Sequence, residues 1–359
     1  MKNKEVIFLS GNGNHALGRE ILINLSETLG EKCSFDHINY SKFQDGELDN
    51  RIPLYKKVKG KTVVFYQSIY NQDLATEALD LIWALKHQYG AKYIIGVFPF
   101  MLYRRQDPKM EINPDEFNYK EAKPDEIQRL RMIISILAFC GLNEMLVGTP
   151  HSDSMEKYAK ESGIIFHEID VSRIFSNMIQ TLIKDNERNL IRVYSPDWGS
   201  VPRAIKVAKI LNCPVLFNLK DRKIDGETKI VEAELKDIED KITWAKETFD
   251  FEEIYYATHD LVAGMIIIMM EDEVATGGTA NDTGLLLRKY LVKDLYFLAT
   301  HPVLTLGWRN KLLKHNPFTK IVFTNTIPRT YEKQTGGEVL DLSIAPQFGS
   351  VLFKILNAM

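Results

Sequence analysis

Residues 265–279, MIIIMMEDEVATGGT, join an apolar run to two acids and a glycine-rich turn. The apolar run predicts a strand of a parallel sheet that is covered on both faces. The turn at 276–279 predicts a helix start, where glycines let the backbone approach a phosphate and successive N–H groups bind it. Glu271 and Asp272 suit the hydroxyls of a sugar or a shared Mg²⁺ better than a bare phosphate. The stretch therefore predicts a site for a phosphorylated sugar; the competing interpretation is a structural turn whose glycines only pack.

The composition is that of an ordinary globular protein, with 359 residues, of which 45% are hydrophobic and 26% charged, and a net charge of −3. This length predicts two domains, and the charge gives no sign of binding to nucleic acid or to an anionic membrane.

The three cysteines, Cys33, Cys140 and Cys213, are odd in number and far apart, which argues against a disulfide framework or a zinc site and favours a reducing compartment. No apolar run approaches the ~18 residues of a membrane span, and the run at 6–9 is too short for a signal peptide, so the expected location is cytoplasmic.

Short apolar segments alternate with longer amphipathic ones along both halves of the chain. The predicted strands are 6–9, 63–66, 93–98 and 145–147 in the first half, and 190–194, 215–219, 266–270, 295–299 and 321–323 in the second. The predicted helices include 17–29, 74–89, 124–139, 201–211 and 279–291. This alternation favours βαβ units and one mainly parallel sheet per half, which makes the chain an α/β protein. Two polar segments are expected to be a long functional loop (107–124) and a mobile, charged stretch (221–242).

Polar and charged residues follow the predicted strands at the ends where ligands bind in doubly wound sheets. These segments are Tyr103-Arg104-Arg105-Gln106-Asp107, His151-Ser152-Asp153, Ser195-Pro196-Asp197, Lys220-Asp221-Arg222 and Thr300-His301. Because the carboxyl ends of parallel strands meet at one edge of a sheet, these segments are candidates for binding and catalysis.

The order of these segments resembles the ribose-phosphate pyrophosphokinase family, and the stretch 271–279 resembles the ribose-phosphate site of type I phosphoribosyltransferases. The resemblance covers nearly the whole chain and is also carried by Lys42-Phe43-Gln44-Asp45-Gly46-Glu47, Ala299-Thr300-His301 and Thr324-Asn325-Thr326-Ile327-Pro328. It implies two phosphoribosyltransferase-like α/β domains, residues 1–166 with 340–359 and residues 167–339. It also implies transfer of a diphosphoryl group from ATP to the 1-hydroxyl of ribose 5-phosphate, with Mg²⁺ as cofactor. The expected assembly is a homo-oligomer built from dimers, of which a hexamer is one form.

The resemblance assigns a role to each matching residue. The implied ATP contacts are Phe43, Asp45 and Glu47, on a loop that reaches a neighbouring subunit, and Arg105, Gln106 and His151. The implied ribose 5-phosphate contacts are Glu271, Asp272, Ala275, Thr276, Gly277, Gly278 and Thr279. The implied metal-binding residues are His151 and Asp197, and the implied catalytic residues are Lys220 and Arg222. Two cations on one loop agree with the chemistry, because diphosphoryl transfer spreads negative charge over the moving group.

The chain departs from the family pattern at four positions. Thr149 stands where the family has an aspartate, Glu271 replaces the first aspartate of the acid pair, Ala275 replaces a frequent aspartate, and Trp198 stands where a glycine is common. Some assigned residues also have structural alternatives: Phe43 as a core residue, His151 as a structural histidine, and Lys220 with Arg222 as solvated charges.

Two other functions remain open at this point. A salvage phosphoribosyltransferase would share the stretch 271–279 but would not need the segments at 42–47, 103–107 and 220–222. A non-catalytic regulatory homologue of the synthetase is motivated by Thr149 at the expected aspartate position. The retention of Lys220, Arg222 and the acid pair argues against that second interpretation.

Overall fold

The computed structural model describes residues 6–30, 33, 35–105, 127–218, 232–329 and 335–359. The chain forms two compact units. Unit 1 comprises Met1–Asp170, Thr326–Pro328 and Ser343–Met359, and unit 2 comprises Val171–Asn325 and Arg329–Leu342. Within the described ranges, no helix combines the length and the apolar character that crossing a membrane requires.

Unit 1 is built on a parallel sheet with helices between its strands. Its strands are β1 (Val6–Ser10), β2 (Phe35–His37), β3 (Asn39–Lys42), β4 (Leu48–Arg51), β5 (Thr62–Tyr66), β6 (Tyr93–Phe98), β7 (Glu144–Gly148) and β8 (Ile165–Ile169). Its helices include α1 (His15–Leu29), α2 (Tyr55–Val58), α3 (Gln72–Trp83), α4 (Arg129–Cys140) and α5 (Ser154–Glu161). The sheet has six strands in the order β2-β1-β5-β6-β7-β8, and every neighbouring pair is parallel. Strands β3 and β4 form a separate antiparallel hairpin.

Unit 2 repeats this architecture. Its strands are β9 (Ile191–Ser195), β10 (Val215–Phe217), β11 (Ile254–Tyr256), β12 (Ile266–Val274), β13 (Asp294–Pro302), β14 (Lys320–Thr324) and β15 (Val339–Leu342). Its helices are α6 (Ser172–Leu182), α7 (Val201–Leu211), α8 (Glu232–Phe249), α9 (His259–Val262), α10 (Gly278–Lys289) and α11 (Trp308–Leu312). The seven strands lie in the order β11-β10-β9-β12-β13-β14-β15, again all parallel.

The apolar runs of the sequence become the buried strands of these sheets. Phe65, Val97, Val193, Ile268 and Phe297 are at most 1% exposed, as expected for parallel strands covered by helices on both faces. The predicted α/β class with one parallel sheet per half is confirmed. In both sheets the strand order reverses at one point, between β1 and β5 in unit 1 and between β9 and β12 in unit 2. Ligands of open α/β sheets bind outside the carboxyl ends of strands at such a switch point.

The switch point of unit 1 is filled by the protein itself. The Gly13 N–H donates to the Gln67 side-chain oxygen at 3.2 Å, and the Ser68 N–H donates to the Gly13 carbonyl at 3.1 Å. A Cβ on Gly13 would lie 2.1 Å from the Ser68 carbonyl oxygen, so this approach requires glycine. The side chains of Asn14 and Ser68 both donate to the Thr326 carbonyl. The short segment Thr326–Pro328 is thereby tied to the end of β5, a placement that the sequence pattern did not reveal.

Helix α8 contains the end of the charged stretch that was expected to be mobile. Residues 221–231 of that stretch lie outside the described residues, and the part from Glu232 onwards is helical, in a helix that continues to Phe249. Among the described side chains of this helix, Ile238 and Ala245 are buried, seven residues apart. A core-facing helix usually has apolar residues every three or four positions. This helix has few of them among its acids and lysines, so the sequence pattern did not predict it.

The C-terminal helix α12 (Ala345–Ala358) belongs to unit 1 and packs on α1. Phe348, Leu352 and Leu356 are at most 2% exposed. The contact is close at Gly349, where a Cβ would lie 2.5 Å from the Asn24 side-chain oxygen. Helices from opposite ends of the chain therefore form one layer of unit 1.

We expect Phe348→Ala to lower the free energy of unfolding by about 3–5 kcal/mol, because a ring with 0% exposure is replaced by a cavity. Lys354→Ala, on the exposed side of the same helix, is the matched control. Urea titration followed by circular dichroism, with hydrogen exchange of α1 as the local probe, measures both variants. Equal stability of the two variants would contradict the proposed packing.

Candidate functional site

The acid pair Glu271 and Asp272 lies on β12, in the part of this strand that extends beyond the end of β9. Pairing with β9 ends at Met269, opposite Tyr194. Pairing with β13 continues to Val274, opposite Pro302. Glu271 and Asp272 are therefore held by a regular ladder on one side and stand beyond the end of β9 on the other. Asp272 is buried, and Glu271 is partly exposed.

Asp197 follows β9 and is fixed by hydrogen bonds in its own turn. Its Oδ1 accepts from the Ser200 N–H at 3.0 Å, which caps the short 3₁₀ turn Trp198–Ser200. Its carbonyl accepts from the Ser195 hydroxyl at 2.7 Å. Because β9 and β12 are adjacent and parallel, this carboxylate stands at the same edge of the sheet as the acid pair. The predicted residues Asp197, Glu271 and Asp272 are thus brought together at the switch point of unit 2.

Arg203 is a member of this site that the sequence interpretation missed. It lies in the first turn of α7, and its Nη2 is 3.9 Å from Asp272 Oδ1 and 3.5 Å from Ser200 Oγ. The available signal was its position at the start of the helix that follows β9, since such helix starts border the ligand crevice. Arg203 supplies a positive charge among the carboxylates.

The carboxylates at the end of β12 repel one another. Burial, together with the negative charges of Asp197 and Asp272, raises the pKa of Glu271 to about 8. The Arg203 guanidinium lowers this pKa but does not cancel the shift. A cation bound beside these groups would relieve the repulsion and favour the charged form of Glu271.

The glycine-rich turn joins β12 to α10. Gly277 has a φ of 77°, and a Cβ there would lie 3.0 Å from the Leu312 side chain, so both backbone and space require glycine. Helix α10 begins at Gly278, and the first N–H groups of a helix lack partners within it. Thr276 and Thr279 are exposed, and Thr276 Oγ1 accepts a long hydrogen bond of 3.4 Å from the Gly278 N–H. The arrangement suits a phosphate bound at a helix N-terminus.

A second segment braces this turn from the other side. The Leu304 N–H donates to the Val274 carbonyl at 3.0 Å, and the Thr305 N–H donates to the Ala275 carbonyl at 3.1 Å. These two backbone hydrogen bonds hold the chain at Ala275 in place. The N–H groups that follow are therefore preorganised for binding an anion.

Three of the residues assigned to ATP form the tip of the β3–β4 hairpin in unit 1. The Phe43 N–H donates to the Glu47 carbonyl at 2.9 Å, and Gly46, with a φ of 93°, makes the turn between them. The Asp45 carboxylate accepts from the Glu47 N–H at 3.1 Å. The Phe43 ring is 54% exposed, so it is not a core residue of this chain.

The other residues assigned to ATP follow neighbouring strands of unit 1. Arg105 comes after β6 and His151 after β7, and both are exposed. Arg104, beside Arg105, is instead buried, with its guanidinium 5.5 Å from the centre of the Phe100 ring. Gln106, Lys220 and Arg222 lie outside the described residues.

Comparisons with known proteins agree on one family. A family model described as the N-terminal domain of ribose phosphate pyrophosphokinase matches residues 6–114. A ribose-phosphate pyrophosphokinase of Ralstonia nicotianae is 25% identical, and the match covers 99% of this chain and 97% of that protein. One from Burkholderia pseudomallei is 26% identical, over 98% of this chain and 94% of its own length.

The chain is similar over nearly its whole length to proteins named ribose-phosphate pyrophosphokinase, and its first part matches the family model. Its fold agrees with a solved structure, the phosphoribosylpyrophosphate synthetase of Mycobacterium smegmatis. That match has a TM-score of 0.73 at 21% identity and covers 99% of this chain and 100% of the other. The family resemblance drawn from the sequence is confirmed.

The acidic end of β12 has the charge and the oxygen ligands that suit a divalent cation. In the parts of the chain that the structure describes, no three His, Cys, Asp or Glu side chains are arranged to hold a metal ion. Mg²⁺ seldom needs such a cage, because it keeps several waters and is bound by one or two carboxylates together with substrate phosphates. The repulsion around Glu271 gives the electrostatic reason for a cation at this edge of the sheet.

Alanine at Gly277 and alanine at Gly278 should act differently. Gly277→Ala forces a side chain into left-handed backbone, at a cost of roughly 1–2 kcal/mol, and against Leu312, so we expect a loss of stability. Gly278→Ala meets only an ordinary contact 3.7 Å from Thr276 Oγ1 and improves helix propensity, while its methyl group narrows the phosphate approach. Denaturant titration and calorimetric titration with ribose 5-phosphate measure the two effects separately. Equal losses of stability would contradict the assignment of strain to Gly277.

Glu271→Gln should stabilise the protein increasingly as pH rises. The raised pKa means that the folded protein holds a proton that the unfolded chain releases at its ordinary pKa of 4.5. The parent protein therefore loses stability between pH 4.5 and about 8, and the glutamine variant does not. Melting temperatures measured across this window in the presence of a chelator test this, with Glu247→Gln on the exposed face of α8 as control. A difference that is constant with pH would refute the shift.

Proposed function

We propose that this protein is a ribose-phosphate diphosphokinase. It transfers the β,γ-diphosphoryl group of ATP to the 1-hydroxyl of ribose 5-phosphate and gives 5-phosphoribosyl 1-pyrophosphate and AMP. The observation that carries the proposal is the switch point of unit 2, where Asp197, Glu271 and Asp272 adjoin the N–H groups at the start of α10. Relatives named ribose-phosphate pyrophosphokinase, matched over nearly their whole length, support it.

The charges of the site support one direction of binding for ribose 5-phosphate in this proposal. The 5-phosphate goes to the N–H groups of Gly278 and Thr279, because carboxylates would repel it at the end of β12. The ribose hydroxyls then lie towards the acid pair, where Asp272 accepts hydrogen bonds from them. Arg203 stands 3.9 Å from Asp272 and places a positive charge beside it.

The chemical step is an attack of the ribose 1-hydroxyl oxygen on the β-phosphorus of ATP. The new oxygen–phosphorus bond forms as the bond from that phosphorus to the oxygen bridging it to the α-phosphorus breaks. The bonding pair leaves with AMP, and the hydroxyl proton is released. Lys220 and Arg222 are proposed to stabilise the charge that spreads over the transferring group.

ATP is assigned to residues of unit 1, namely Phe43, Asp45, Glu47, Arg105, Gln106 and His151. The exposed Phe43 ring at a hairpin tip supports this, because an aromatic ring without a core role is suited to stacking on adenine. In the proposal the hairpin serves a neighbouring subunit, which requires a homo-oligomer.

Mg²⁺ is the proposed cofactor, with Asp197 and His151 as the residues assigned to it. When bound, it would offset the negative charge of the ATP phosphates and of the diphosphoryl group. The contribution of the chain itself is the placement of Asp197, which the Ser200 N–H and the Ser195 hydroxyl hold in one orientation.

The deciding experiment is an assay of the purified protein with Mg²⁺, ATP and ribose 5-phosphate, followed by phosphorus NMR. We expect AMP and 5-phosphoribosyl 1-pyrophosphate in equal amounts. A salvage phosphoribosyltransferase would instead release pyrophosphate only when a nucleobase is added to 5-phosphoribosyl 1-pyrophosphate. A regulatory homologue would form neither product. Absence of AMP would overturn the proposal.

Asp272→Asn should weaken the binding of ribose 5-phosphate by about 10-fold to 100-fold, the range expected when a hydrogen bond to a charged group is lost. Asp282→Asn is the matched control, since Asp282 lies exposed on α10. Calorimetric titration with Mg²⁺ and an ATP analogue present measures the affinity, and melting temperatures show that the variants are folded. Equal affinities for the two variants would remove Asp272 from the sugar site.

A further inference from the structure

A continuous chain of aromatic rings connects the sheet of unit 2 to helix α8. It consists of four ring pairs, with centroid separations of 5.8 Å for Tyr256–Phe217, 5.1 Å for Phe217–Trp198, 5.9 Å for Trp198–Trp244 and 5.5 Å for Trp244–Phe249. All four pairs are T-shaped or tilted. These separations and orientations are those that aromatic rings favour. We call this set the aromatic chain.

Trp198 is the member of the aromatic chain that lies in the proposed active site. It is the residue after Asp197, within the turn that the Asp197 side chain caps. The turn is tight, because Asp197 Oδ1 accepts from the Ser200 N–H and lies 3.4 Å from where a Cβ of Gly199 would be. A displacement of the Trp198 ring therefore moves the backbone that carries the Asp197 carboxylate.

Helix α8 is anchored by contacts other than Trp244. Its Ile238 and Ala245 are buried, and the Lys209 ammonium on α7 donates to the Phe249 carbonyl. Trp244 itself is 48% exposed, so much of its surface contributes nothing to the core. What it does contribute is a ring contact with Trp198, on the side away from Phe217 in the order of the aromatic chain. The position of the helix therefore does not depend on Trp244. The ring contact of Trp244 in turn limits where the Trp198 ring can lie.

We propose that Trp244 and Trp198 are positioning residues, through which helix α8 holds the turn Asp197–Ser200, and with it the Asp197 carboxylate, in the geometry that the reaction needs. The catalytic part of this inference rests on the proposed function, whereas its structural part does not. Without the Trp244 ring, Trp198 keeps one of its two ring contacts in the aromatic chain, the one with Phe217. The turn then gains freedom, and a misplacement of about 1 Å in a catalytic group can lower a rate by about 100-fold.

The chain offers matched variants for a test. Trp244→Ala removes the contact, and Trp244→Phe keeps an aromatic ring at the same place. Trp83→Ala is the control, because Trp83 is also a helical tryptophan, is 46% exposed, and packs on one ring, that of His87, at 5.5 Å. It belongs to unit 1. If Trp244→Ala does not fold, Trp244→Leu replaces it, since leucine keeps apolar volume without the ring.

Two measurements on the full chain separate the structural claim from the catalytic one. Hydrogen exchange followed by mass spectrometry reports on residues 195–203, where we expect faster exchange in Trp244→Ala, normal exchange in Trp83→Ala and near-normal exchange in Trp244→Phe. Steady-state kinetics should show kcat/KM for ribose 5-phosphate lowered by about 10-fold to 100-fold in Trp244→Ala, with more Mg²⁺ needed for half-maximal rate. A merely structural role would lower the melting temperature and leave the Mg²⁺ requirement unchanged.

Each outcome decides one claim. Unchanged exchange at 195–203 in Trp244→Ala overturns the inference, whatever the activity. Faster exchange with parental kinetics and Mg²⁺ requirement also overturns it, because the turn would then be free to move without consequence. If the parent protein forms no AMP, the proposed function fails, and the exchange data alone decide whether α8 holds the turn.

Discussion

Carboxylates at the ends of adjacent strands repel each other, and the sheet of unit 2 holds Asp197, Glu271 and Asp272 together against that repulsion. The pairing between β12 and β13 continues past the end of β9. Glu271 and Asp272 therefore cannot move away from Asp197 without breaking backbone hydrogen bonds of the sheet. Asp197 is equally constrained by its own cap. The acidic groups are therefore held beside the N-terminus of α10, and that N-terminus attracts anions. A substrate with a phosphate at one end and hydroxyls at the other matches both this N-terminus and the acidic groups.

The strands and the phosphate turn were predictable because their signals are local. A strand buried on both faces has to be apolar along its whole length, and a turn with left-handed backbone has to carry a glycine such as Gly277. The approach of Arg203 to Asp272, the contact of Trp244 with Trp198, and the binding of Thr326 at the end of β5 were not predictable. Each depends on which distant segments meet, and the residue types involved are also common on surfaces. The sequence likewise identified Glu271 as an acid of the site, but its raised pKa arises from neighbours that only the fold assembles.

The sheets of both units have a switch point in their strand order, and the two units use it in opposite ways. In unit 2, β9 and β12 end in acids and a glycine-rich turn that face outward from the sheet edge. In unit 1, the carboxylate near the corresponding ends is that of Glu77, which is 1% exposed and accepts from both the backbone and the side-chain amide of Asn12, at 2.9 and 3.0 Å. Its hydrogen-bonding capacity serves the chain itself. One architecture therefore yields a binding crevice or a closed structural junction, depending on where a few amides and carboxylates find partners.

The pairing of α1 with α12 has a consequence for how the protein is made. During synthesis the first strands and helices of unit 1 leave the ribosome early, whereas α12 follows only after the described elements of unit 2. Until then the surface of α1 that packs against α12, around Asn24, lacks its covering helix. Contacts between such distant segments form late, and the exposed apolar surface invites aggregation or chaperone binding in the meantime. A chain truncated before Ala345 would therefore contain every described strand of both sheets and would lack the helix that packs on α1.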